Sequence, residues 1–187
     1  MKVNYLYLKI AYSLYLSHYR EAMKLLIFFT HFSLLLIRVA EWSGPSFQTL
    51  DKANFYSVMA SGRLREINEE LALIASSSIK EKAAYEGALL MRKAGLPIPP
   101  HEKLASFKTG YHKLESALAN DSSNGEYHFL RLIIQEHVPK FVHYDKDRAA
   151  DSQDVYRSFR NLPPAVQKAI LDYSIHSKLL HAKELNE

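Results

Sequence analysis

The sequence predicts an all-α fold, and three observations carry that expectation. Apolar residues recur at helical spacing in one segment after another. The alternation of β-branched and polar residues that a strand needs is nowhere sustained. Six glycines and seven prolines in 187 residues are too few for a turn-dense sandwich or barrel. The helices are expected to pack as antiparallel pairs in a repeat-like or irregular bundle, behind an N-terminal hydrophobic leader. With 48% hydrophobic and 24% charged residues, wholesale disorder is excluded. The absence of cysteine removes disulfide scaffolds, thiol catalysis and cysteine metal sites.

Residues 1–46 read as the leader. Val3 to Tyr19 is rich in Tyr and Leu, with Lys9, Ser13, Ser17 and Arg20 drawing one polar stripe along a helix. A second apolar stretch, Leu25 to Ile37, is thirteen residues long. That is short of the ~20 residues of a spanning helix and within the roughly 7–15 of a signal-peptide core. Met23-Lys24 in front of it gives the layout of an export signal. Residues 1–22 then read as an upstream extension, and 23–46 as a signal peptide or anchor. Cleavage after Ala40 puts Arg38 where a small residue is expected, so an uncleaved anchor stays open, as do two buried helices of a larger bundle.

After the break at Ser43-Gly-Pro-Ser46, residues 47–187 are expected to form one helical domain. A first helix runs from Phe47 to Ala60 and stops at Ser61-Gly62, glycine serving as the cap. A second carries Leu64, Ile67, Leu71 and Ile74 on one face. Ser78 and Glu81 suggest a capping box for a third helix, Ile79 to Ala94, whose Gly87 points to close approach of a neighbour. Prolines separate it from a fourth helix, His101 to Asn120, with an apolar stripe from Leu104 through Phe107, Tyr111 and Leu114 to Leu118. A fifth, Gly125 to Val138, is the most apolar, and its only polar stripe is His128, Arg131 and Gln135. A short helix over Asp151 to Arg160 follows. The last begins at Leu162-Pro-Pro164 and aligns Val166, Ile170, Tyr173 and Leu180.

Gly110, Leu114 and Ala117, followed by Asn120-Asp-Ser-Ser-Asn124, resemble the second helix and exit turn of a tetratricopeptide repeat. Ser122 stands where that family usually has proline, and no second copy follows at a period of 34 residues. The stretches FYSVMASG, EKAAYEGALLM and AVQKAILDYS are also similar to a group of small exported bacterial proteins. These resemblances imply a helical, repeat-like architecture and export, and bring no catalytic residues.

Charge narrows the function. Residues 1–46 carry five basic and two acidic side chains, and the rest of the chain nineteen and eighteen. The expected domain is therefore close to neutral and lacks the basic footprint of a nucleic-acid reader. Glu136, His137, His143 and Asp145 form the densest polar cluster and make the one alternative built on chemistry, an intracellular helical metalloprotein or enzyme. Their spacing matches no ligand motif. Asp145, Asp147, Asp151 and Asp154 fail as a calcium loop, because Ala150 replaces the invariant glycine and Tyr156 the bidentate glutamate. They read instead as a solvated loop entering a helix. His128, Arg131 and Gln135 share one helix face, as a candidate interaction strip or simply a solvated one. The expectation is a non-enzymatic, exported or membrane-tethered helical protein without metal or cofactor, presenting a surface to a protein or peptide. A third reading is membrane association through the leader, which lies in the interface as an amphipathic helix.

Overall fold

A computed structural model describes residues 50–185 and Met23. The leader, with the export and anchor readings attached to it, lies outside the described residues, as does the expected helix start at Phe47. Eight α-helices and two short 3-10 turns make up the described chain, and no strand occurs among the described residues. In order they are α1 (Lys52–Ser61), α2 (Leu64–Ser76), α3 (Lys82–Ala94), α4 (Pro100–Asn120), α5 (Gly125–His137), α6 (Arg148–Ser158), α7 (Pro164–Ser174) and α8 (Ala182–Leu185). The 3-10 turns are Lys140–Val142 and Phe159–Asn161. The fold is all-α. Among the described residues no helix is long and apolar enough to cross a membrane.

Local chemistry sets the helix ends. Asp51 caps α1 by accepting the N–H of Asn54 at 3.0 Å. Asn124 caps α5, its side-chain oxygen taking the N–H groups of Glu126 and Tyr127 at 3.1 and 3.3 Å. Pro100 and Pro164 open α4 and α7, where a missing N–H costs nothing. Gly62 closes α1 at φ +60° and returns its N–H to the Val58 carbonyl.

Three boundaries depart from expectation. The Ser78–Glu81 capping box does not form, and α3 begins without a side-chain cap. The serines serve the previous helix instead: Ser76 and Ser77 return their hydroxyls to the carbonyls of Leu73 and Ile74, at 2.8 and 2.7 Å. Helix α6 starts at Arg148, one turn before the expected Asp151. Helix α7 ends at Ser174, so Leu180 is buried from the segment beyond it and not from the helix face.

The core gathers around α3, where Ala84 to Leu89 are all buried, as suits a helix with neighbours on several sides. Helices α2, α4 and α5 all pack on it. Its pairing with α4 is the closest. A Cβ on Gly87 would lie 2.7 Å from the Leu114 backbone nitrogen and 2.9 Å from the Gly110 carbonyl oxygen. A Cβ on Gly110 would lie 2.6 Å from the Gly87 carbonyl oxygen. Two glycines meet face to face, so the backbones themselves touch. This is the close approach that Gly87 suggests in the sequence. Leu104 and Tyr111, expected on the buried stripe of α4, are exposed, and burial follows Gly110, Leu114, Ala117 and Leu118 instead. The glycine contact turns that face of α4 inward.

Candidate functional site

A cleft of about 710 Å³ opens between α1 and α7, with α5 beneath it. Its walls are lined by small side chains. Ala53, Ser57 and Ala60 follow at helical spacing along α1, and Ala165 and Ala169 along α7. The floor is aromatic. Tyr56 and Tyr173 flank Phe129, each with its ring centroid 5.7 Å from that of Phe129.

Two carboxylates at opposite ends of α5 hold the outer rings of that row. Glu126, in the first turn, is buried and accepts from Tyr56 at 3.0 Å, Tyr85 at 2.8 Å and the Lys52 ammonium at 2.5 Å. Glu136, in the last turn, accepts from the Tyr173 hydroxyl at 2.7 Å, the Ser177 hydroxyl at 2.8 Å and the Lys178 N–H at 2.9 Å. Burial, then the Glu126 charge, pushes the Tyr56 and Tyr85 hydroxyls well above the usual phenol range. Burial and Glu136 do the same to Tyr173. All three tyrosines therefore remain protonated donors. Helical phase marks Tyr56 and Tyr85 as core positions but does not reveal the Glu126 hub. The available signal is that a buried tyrosine, unlike phenylalanine, needs an acceptor.

Cations edge the cleft. Arg92 donates from Nε to the Met59 carbonyl at 2.9 Å, and its Nη groups have no hydrogen-bond acceptor among the described residues. The guanidinium lies against Gly62, where a Cβ would sit 2.2 Å from Nη2. Any other residue at position 62 would displace Arg92 as well as straining the turn. Lys168 pairs with Asp172 at 2.7 Å in the open, and His137 and His176 complete the lining.

No protein-family model, curated protein or solved structure matches this chain.

The candidate strip faces inward. His128 and Gln135 are buried, and the Arg131 side chain is only 13% exposed. The solvated reading is thereby corrected. Helix α6 brings Asp151, fully buried, against this face, so the solvated reading fails at Asp151, while Asp145 and Asp147 lie half-exposed where the chain enters α6. Arg131 grips Asp151 through Nε at 2.8 Å and Nη2 at 2.7 Å, and reaches Glu115 of α4 through Nη1 at 3.0 Å. Tyr144 donates to the other Glu115 oxygen at 2.5 Å. Removing one partner from such a buried pair costs about 3–5 kcal/mol, so Arg131 ties α4, α5 and α6 together.

The cluster behind the metalloprotein alternative disperses. Glu136 is taken up by Tyr173 and Ser177, and His137 accompanies the Ile133 carbonyl through Nδ1 at 2.8 Å. His143 is exposed at φ 54°, closing the first 3-10 turn, and Asp145 pairs with Arg148. Among the described residues no group of three or more His, Cys, Asp or Glu side chains converges as metal ligands would.

Proposed function

We propose that this chain is a non-enzymatic helical protein, exported or membrane-tethered, that binds another protein by receiving one of its amphipathic helices in the α1–α7 cleft. The observation that carries this reading is the aromatic floor held by Glu126 and Glu136 between two small-residue walls. A rigid apolar floor supplies contact area at low entropic cost, because its rings are fixed before a partner arrives. Small walls let a second backbone come close. From Ala165 to Tyr173 the α7 wall runs about 12 Å at 1.5 Å per residue, which matches two helical turns and anchors at i, i+3 or i+4, and i+7. Arg92, whose Nη groups have no acceptor among the described residues, favours a partner that carries a carboxylate beside those anchors. The non-enzymatic part is supported by the chemistry around the cleft. Its supporting carboxylates each already accept three donors, and Asp172 is paired with Lys168. Export is supported by Met23-Lys24 and the apolar run after it.

A display library of helical twelve-residue peptides, selected against the full chain, tests this. Recovered binders are expected to share two or three apolar anchors at helical spacing and an adjacent Asp or Glu. Binding is expected to be lost in Ser57→Trp, which fills the cleft from an exposed wall position, and retained in Ala75→Trp on α2. Binders indifferent to Ser57→Trp would overturn the reading. So would a library that yields none while dodecanoate binds in the cleft.

A further inference from the structure

We infer that His128 is a pH-sensitive latch, held as an imidazolium between the α4–α5 turn and α6, and that the latch opens when the ring loses a proton. The argument is geometric. Nδ1 lies 2.7 Å from Oδ1 of Asp151, and Nε2 lies 2.9 Å from the backbone carbonyl oxygen of Ser122. A carboxylate and a carbonyl can only accept, so both ring nitrogens have to donate, and only the cationic ring does so. Asp151 is held ionised by Arg131, which donates to both of its oxygens. Either neutral tautomer turns a lone pair towards one of the two acceptors. Asp151 keeps Arg131 in that case, whereas the Ser122 carbonyl has no second hydrogen bond among the described residues. The turn is therefore the side that lets go.

The charged groups around the ring agree with this assignment. From α6, Asp151 and Asp154 face it, the latter at 3.7 Å. From α5, Arg131 stands across Asp151, and Glu115 of α4 offsets part of its charge at 3.0 Å. In the turn, Asp121 is occupied by Asn124 and Ser123. Burial pulls the ring towards neutrality, but the Asp151 hydrogen bond, the Ser122 carbonyl and the charges of Asp151 and Asp154 outweigh it, and His128 rises above the ordinary histidine value. A folded value above the unfolded one means that the latch stabilises fully below about pH 6.5. That contribution is lost as pH rises through the raised folded value.

A ¹H–¹³C and ¹H–¹⁵N NMR titration of the full chain reads this directly. The His128 ring is expected to titrate above about 6.5, with the Ser123 and Asn124 amides moving at the same midpoint. Over that range the urea midpoint of the wild-type chain should fall more steeply than that of His128→Gln, which has no proton to lose. A His128 ring that is neutral at pH 6, turn amides indifferent to its titration, or an undiminished pH slope in His128→Gln would each overturn the latch. The ring titration needs no variant, so it decides the matter even if His128→Gln does not fold.

Discussion

Gln135 is 1% exposed, and among the described residues neither its amide nitrogen nor its amide oxygen has a hydrogen-bond partner. A buried polar group left unmatched costs about 1–3 kcal/mol, and this side chain carries two of them beside an otherwise well-paired network. Gln135→Leu keeps the approximate size and removes both. It is expected to raise the urea midpoint without changing the slope of the transition, a gain of about 1 kcal/mol or more in unfolding free energy. A lower midpoint would show that the amide is matched in solution. Helical phase groups Gln135 with His128 and Arg131 correctly, and the structure keeps them on one face. What phase does not report is which way that face turns. An apolar helix with a single polar stripe looks as if it exposes the stripe, yet α6 arrives with Asp151 and converts the stripe into an interior seam. The hint in the sequence is Asp151 itself, an acid one turn into a helix, which reads equally well as a dipole partner.

Among the elements, α3 shows most clearly how packing overrides propensity. Alanine is the better helix former by about 1 kcal/mol, so an isolated α3 would gain from Gly87→Ala. In the fold the new methyl meets the Leu114 nitrogen and the Gly110 carbonyl, both backbone atoms that cannot swing aside. Overpacking of this kind costs about 1–3 kcal/mol. Gly87→Ala is therefore expected to lower the unfolding midpoint, and an unchanged or raised midpoint would refute the direct backbone contact. The helices themselves were legible because their apolar residues recur with clear phase and prolines and glycines punctuate them. Their ends were less so. Ser76-Ser-Ser78 can close the helix before it or open the one after it, and sequence alone does not separate the two uses of a hydroxyl.

At the scale of the whole molecule, the cleft was not legible. Its walls come from α1 and α7, far apart in the chain, and the alanines and serine that form them look like ordinary helix surface. Only the tertiary pairing of those two helices gives the residues a common purpose. The described residues 50–185 belong to one compact unit, and the leader reading concerns residues 1–46 alone. With expression begun at Met23 and a reporter fused after Gln48, the reporter is expected outside the cytoplasm. A soluble cytoplasmic fusion, neither cleaved nor attached, would reject export.

The glycine contact between α3 and α4 also bears on kinship. Surface residues and even much of the cleft can drift while the fold persists, but a backbone-on-backbone contact leaves no room for gradual change at either partner. A chain descended from the same ancestor is expected to keep residues without side chains at the spacing of positions 87 and 110, on either side of a proline-rich break. That pair, more than any run of identical letters, is the mark by which a distant relative could be told from a chance helical lookalike.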